Sequence, residues 1–99
     1  TRTGTAPPSS GGSWAWGWSD VWRSAFYFDG GNTVYFLKPT GDPRSAAWAW
    51  TSQSITGTVY SGGSNGAFDR LRHASVLGDV LIWCASTSSP VQAIRVTAP

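Results

Sequence analysis

The stretch Trp14-Ala15-Trp16-Gly17-Trp18 places an indole at every second position, and a shorter copy follows at Ala47-Trp48-Ala49-Trp50. A period of two belongs to a β-strand, whose successive side chains leave opposite faces. The spacing therefore predicts two strands that each present their tryptophans on one side of a sheet. Ala15 and Gly17 leave the other side nearly bare, so a second element can pack closely there. A buried indole removes on the order of 200 Å² from water. Such stripes serve as core, as a platform for sugar rings, or as a protein interface.

Composition points the same way. Only 12% of the 99 residues are charged, against roughly a quarter in ordinary soluble domains. Glutamate is absent and Lys38 is the one lysine. Both residues favour helices and solvated surfaces, so their scarcity argues against helix and for a surface that is partly covered. Ser, Thr and Gly fill the polar positions, as they do in β-rich extracellular and virion proteins. The length suits one domain.

The rest of the chain reads as strands punctuated by turns. Ser13–Trp18, Val21–Phe28 and Thr33–Leu37 come first, the last two joined by the hairpin signal Asp29-Gly30-Gly31-Asn32. Ala46–Thr51, Ile55–Tyr60, Ala67–His73, Val76–Cys84 and Val91–Thr97 follow, with Gly57 a bulge candidate and Gly78-Asp79 a turn inside the fourth of these. The expectation is a small, all-β, antiparallel sandwich or barrel of about seven to nine short strands over residues 13–99. Residues 1–12 form an extended Pro/Gly/Ser/Thr-rich arm with nothing to bury. Pro7-Pro8 stiffens it, which lowers the entropy lost on docking. An arm of this kind stays ordered only against a surface, either its own domain or a neighbouring chain, and the second is the preferred reading. It is expected to make few contacts with its own core and to lie over a neighbouring subunit by strand addition.

Chemistry finds little support. His73 is the single histidine and Cys84 the single cysteine. No Gly-x-Ser-x-Gly turn occurs, and Ser75 stands two residues from His73 on the same strand, which is not how a triad assembles. A hydrogen-bonded strand histidine and a buried, inert thiol are the expected roles. Zinc needs about four Cys or His ligands, and Asp20, Asp29, Asp42 and Asp79 sit singly in turns. The glycine-rich loop at 61–66 lacks the lysine and following helix of a phosphate cradle. No catalytic residue, metal or cofactor is therefore expected. A net charge of +2 without a basic stripe speaks against nucleic acid. No apolar run reaches membrane-spanning length.

Trp22, with Phe26 and Phe28, and Trp83, between Ile82 and Cys84, read as core. Trp14, Trp16 and Trp18 together are a large mass for so small a core, so an exposed patch is the competing outcome. Six arginines, one lysine and no glutamate match the bias of protein interfaces. The chain also opens on Thr1 and has no methionine, as a whole gene product made in a cytoplasm does once its initiator is trimmed. The expected function is that of a structural virion subunit, such as a bacteriophage decoration (cement) or other accessory head or tail protein. It would bind capsid or tail subunits through Arg2, Pro7, Pro8, Trp14, Trp16, Trp18, Trp48 and Trp50. A closed homo-oligomer, with a trimer preferred, fits such a role. The alternative is a secreted carbohydrate-binding module or tail-fibre receptor-binding domain that stacks sugars on Trp. For that reading, no polar residues cluster with the Trp stripe in sequence.

Overall fold

The structure is a computed structural model, and it describes residues 2–8, 15–28, 31–44, 47–59, 71–86 and 88–99. Thr1 and residues 9–12 of the arm, Trp14, the loop at 61–66 and residues 67–70 of the expected strand Ala67–His73 lie outside the described residues. Two sheets account for the fold. The first contains β1 (Arg2–Thr3), β2 (Ala15–Ser19), β3 (Ser24–Phe28), β4 (Thr33–Pro39) and β5 (Trp48–Ser54), in the spatial order β1-β5-β4-β3-β2. The second is an antiparallel trio in sequence order: β6 (Leu71–His73), β7 (Val80–Trp83) and β8 (Gln92–Arg95). The all-β expectation holds.

Strands β2 to β5 form an antiparallel meander. The 29–32 hairpin signal is met by the pairing of Phe28 with Val34. Three expectations need correction. Arg2–Thr3 does not reach away from the domain: it adds to its own β5 in parallel, Arg2 opposite Trp48 and Thr3 opposite Ala49. The arm thus begins as an edge strand of its own sheet, where unpaired ladder groups on β5 offered it partners. Residues Ile55–Val59 form no strand. Gly57 turns the chain at φ +89°, and the Thr58 carbonyl accepts a side-chain bond from Gln92 Nε2 at 2.8 Å rather than a ladder bond. Ile55 and Val59 instead lie against the core. Finally, Ser75–Leu77 is a short 3-10 turn, so the apolar run that follows β6 enters the sheet only at Val80.

Alternation sorts each strand. Ala15, Phe26, Phe28, Val34 and Phe36 of the first sheet meet Leu71, Leu81, Trp83 and Ile94 of the second in one buried cluster. Phe28 and Trp83 stand perpendicular at 4.9 Å and 87°, and Trp22 is perpendicular to Phe26 and Phe36 at 6.1 and 5.6 Å. Such perpendicular pairs contribute roughly 1 kcal/mol each beyond their buried area. Trp22 and Trp83 are core, as expected. Cys84 is free and half-buried, less enclosed than the sequence implied.

Gly17 is placed by necessity. It lies opposite Phe26, whose ring covers it so closely that an added Cβ would come within 2.6 Å of Cζ. The gap between the Trp16 and Trp18 indoles on the outer side is thus the seat of a core phenyl ring on the inner side.

Two polar side chains tie the end of the chain to the first sheet. The Gln53 amide reads the backbone of Thr97 in both directions, Nε2 donating to the carbonyl at 2.5 Å and Oε1 accepting from the N–H at 2.8 Å. Lys38 Nζ donates to the Pro99 carbonyl at 2.9 Å.

Candidate functional site

Register decides where the tryptophans go. Trp16 pairs with Tyr27, which pairs with Tyr35, which pairs with Ser52, and Leu37 pairs with Trp50. Directly opposed residues share a face, so Trp16, Trp18, Tyr27, Tyr35, Trp48 and Trp50 all leave the outer side of the five-stranded sheet. Two motifs some thirty residues apart in sequence converge there. Trp16 stacks on Tyr27 at 6.2 Å and 19°, Tyr27 meets Trp50 at 5.3 Å, and Trp18 meets Trp48 at 6.3 Å. Trp16 is 57% and Trp18 44% exposed, while Trp48 and Trp50 are half-buried among their neighbours. Arg2, opposite Trp48, is on the same side. No described strand residue of this face is a carboxylate. Of the other residues expected to bind, Pro7 is half-buried and Pro8 exposed.

A second feature lies where this face ends. Among the described residues, strand β2 is an edge of the first sheet and β6 an edge of the second. Between them opens a cleft of about 470 Å³, with Trp16, Trp18 and Asp20 on one wall and Arg72, His73 and Ser75 on the other. Asp20 Oδ1 accepts the Trp18 indole N–H at 2.9 Å, which fixes both side chains. Val21, Val76 and Leu77 are exposed apolar residues on the turns at this end.

At the bottom of the cleft the two sheets are clasped together. Ser19 Oγ lies 2.7 Å from His73 Nδ1, and His73 Nε2 lies 3.0 Å from the Gly78 carbonyl. A carbonyl only accepts, so Nε2 carries the hydrogen. In the neutral ring Nδ1 then accepts from the Ser19 hydroxyl, which in turn accepts the Trp22 amide N–H at 3.1 Å. The Trp22 indole N–H donates to Asp79 Oδ1 at 2.7 Å. A serine bonded to an imidazole has the outline of a nucleophile and its base. Here Ser19 is only 4% exposed, its oxygen is already occupied by an amide, and the imidazole is covered by an indole. The arrangement suits bracing the two sheets better than attack on a substrate.

Among the described residues no group of His, Cys, Asp and Glu is placed to hold a metal ion, and no helix is long and apolar enough to cross a membrane. No family model matches this chain, and neither a curated protein nor a solved structure does. What the chain can bind is therefore read from its own geometry.

The sequence pointed to the indoles of the site but missed its polar half. Asp20, Arg72 and Ser75 flank the stripe only after folding, and Ser19 meets His73 across 54 positions. One local signal was available: the pair Trp18 and Asp20, two residues apart at a strand end, where an indole N–H and a turn carboxylate suit each other.

Proposed function

We propose that this chain is a structural binding domain of a virus-like particle, a decoration (cement) or other accessory head or tail subunit that attaches through the outer aromatic face. What supports the reading is one observation: both Trp motifs converge on a single side of one sheet, without a carboxylate among its described strand residues. Interface cores are enriched in Trp, Tyr and Arg and depleted in Lys, Glu and Asp. A broad face with that composition is suited to a protein partner, since a platform of six rings, two of them exposed and four half-buried, has a hydrophobic cost in water. Rings such as Trp48 and Trp50, already held by neighbours, lose little side-chain entropy on docking. Arg2 lies beside Trp48 and adds a planar cation at the rim. A closed homo-oligomer, with a trimer preferred, would present several such faces at once. The site of action on this reading is the virion.

Mass spectrometry of particles purified from the producing culture tests it. The chain should be present as a fixed component, and Trp50→Ala should release it from the particle while leaving the fold intact. Absence of the chain from such particles would overturn the proposal.

A further inference from the structure

We propose that the cleft between β2 and β6, which shares Trp16 and Trp18 with the broad aromatic face but not Trp48 or Trp50, is a subsite for a neutral glycan. Three features of the cleft carry this. Its volume, about 470 Å³, falls within the range of small-ligand sites, roughly 300–1,000 Å³. Its outer wall is made of indoles, and Trp16 and Trp18 are 57% and 44% exposed. The apolar faces of pyranose rings stack on such surfaces.

Polar groups lie on both walls. Asp20 is an acceptor held in place by the Trp18 N–H at 2.9 Å, with a second carboxylate oxygen and spare lone pairs for hydroxyls. Opposite it stand the Arg72 guanidinium, a donor, and the Ser75 hydroxyl, which does both. A sugar hydroxyl also donates and accepts, so a mixed set of this kind is complementary to it.

Charge narrows the class. Among the described lining residues there are one carboxylate, Asp20, and one guanidinium, Arg72, which also donates to the Leu71 carbonyl at 2.8 Å, so their charges offset. A phosphate or a uronate would gain from Arg72 and be repelled by Asp20, and a cation the reverse. A neutral polyol meets neither penalty.

The test is calorimetric titration of the whole chain with linear tetrasaccharides of glucose, of N-acetylglucosamine and of mannose, and with a tetrasaccharide of galacturonic acid. At least one neutral tetrasaccharide should bind saturably at millimolar concentration or better, and the uronate should bind more weakly. Trp18→Ala and Asp20→Asn should each weaken that binding about tenfold or more, given the loss of a stacking face or of a charged acceptor. Arg72→Ala provides a third variant on the opposite wall, with the same expected direction. Trp50→Ala, which alters the broad face and not the cleft, should leave sugar affinity unchanged. Failure of all three neutral sugars to bind would overturn the proposal, and so would binding that survives both Trp18→Ala and Asp20→Asn. Neither result bears on attachment to a particle, which is read from Trp50→Ala.

Discussion

The indole of Trp22 lies flat against the imidazole of His73, with ring centroids 3.6 Å apart and planes 18° from parallel. This stack joins the turn after β2 to strand β6, and Ser19 and Asp79 hold its two members from either side. It is the point where the edges of the two sheets are fastened.

Ser19→Ala should therefore destabilise the fold by about 1–3 kcal/mol, because it leaves a buried amide and an imidazole nitrogen without their partner. Denaturant titration would measure the loss. Nitrogen NMR of His73 should find the hydrogen on Nε2 in the neutral ring. Ester hydrolysis by the wild-type chain that disappears in Ser19→Ala would contradict the bracing role.

Gly17→Ala should cost about 1–3 kcal/mol, since the added methyl meets a core phenyl ring that cannot retreat without strain. The double variant Gly17→Ala with Phe26→Leu should recover part of the loss. A neutral effect of the single change on melting temperature would mean that the ring has space the packing denies it.

The tryptophans should divide into two groups under alanine replacement. Trp83→Ala, fully buried against Phe28, should cost roughly 3–5 kcal/mol. Trp16→Ala and Trp18→Ala remove largely exposed rings and should cost well under half of that, within the range usual for surface positions. Chemical denaturation of the three variants side by side would reveal the split.

Removing residues 1–4 deletes one two-residue edge strand. A small fall in melting temperature and unchanged strand content by circular dichroism are expected. Collapse of the fold would mean that β1 supports the sheet beyond its two paired residues.

Asp42 should titrate below the ordinary carboxylate range. The Arg44 backbone N–H is the larger cause and its guanidinium, 3.4 Å away, the smaller. A lowered folded value means that this contribution is present above the unfolded value and is lost as pH falls through the folded one. The pair is solvent-exposed, so the effect on stability should be slight. Proton NMR should show Arg44→Ala raising the Asp42 midpoint only part of the way, because the backbone donor stays.

Much of the fold was legible because alternation is a local property. The strand character of Trp16–Trp18 and of Trp48–Trp50 follows from their own spacing, as does the burial of Trp22 and Trp83 in mixed apolar runs. Sheet order was not legible. That Trp18 meets Trp48, or that β1 runs parallel to β5, depends on pairings no local pattern specifies. Ile55–Val59 misled because its apolar and polar residues alternate like a strand, while Gly57 turns the backbone out of the ladder. The polar lining of the cleft was hidden for a similar reason: Asp20 and Ser75, on opposite walls, are ordinary turn residues until the sheets close.

The Gln53 amide that grips Thr97 gives the domain a mechanical character. Tension applied at the C-terminus reaches β5 and the paired interior of the larger sheet through that grip and the Lys38 contact, as well as through β8 at the edge of the smaller one. A pull that would otherwise fall on β8 alone is shared with the larger sheet. A tether fused after Pro99 would thus hang from the body of the domain, and Gln53→Ala would turn the same attachment into a peeling tab.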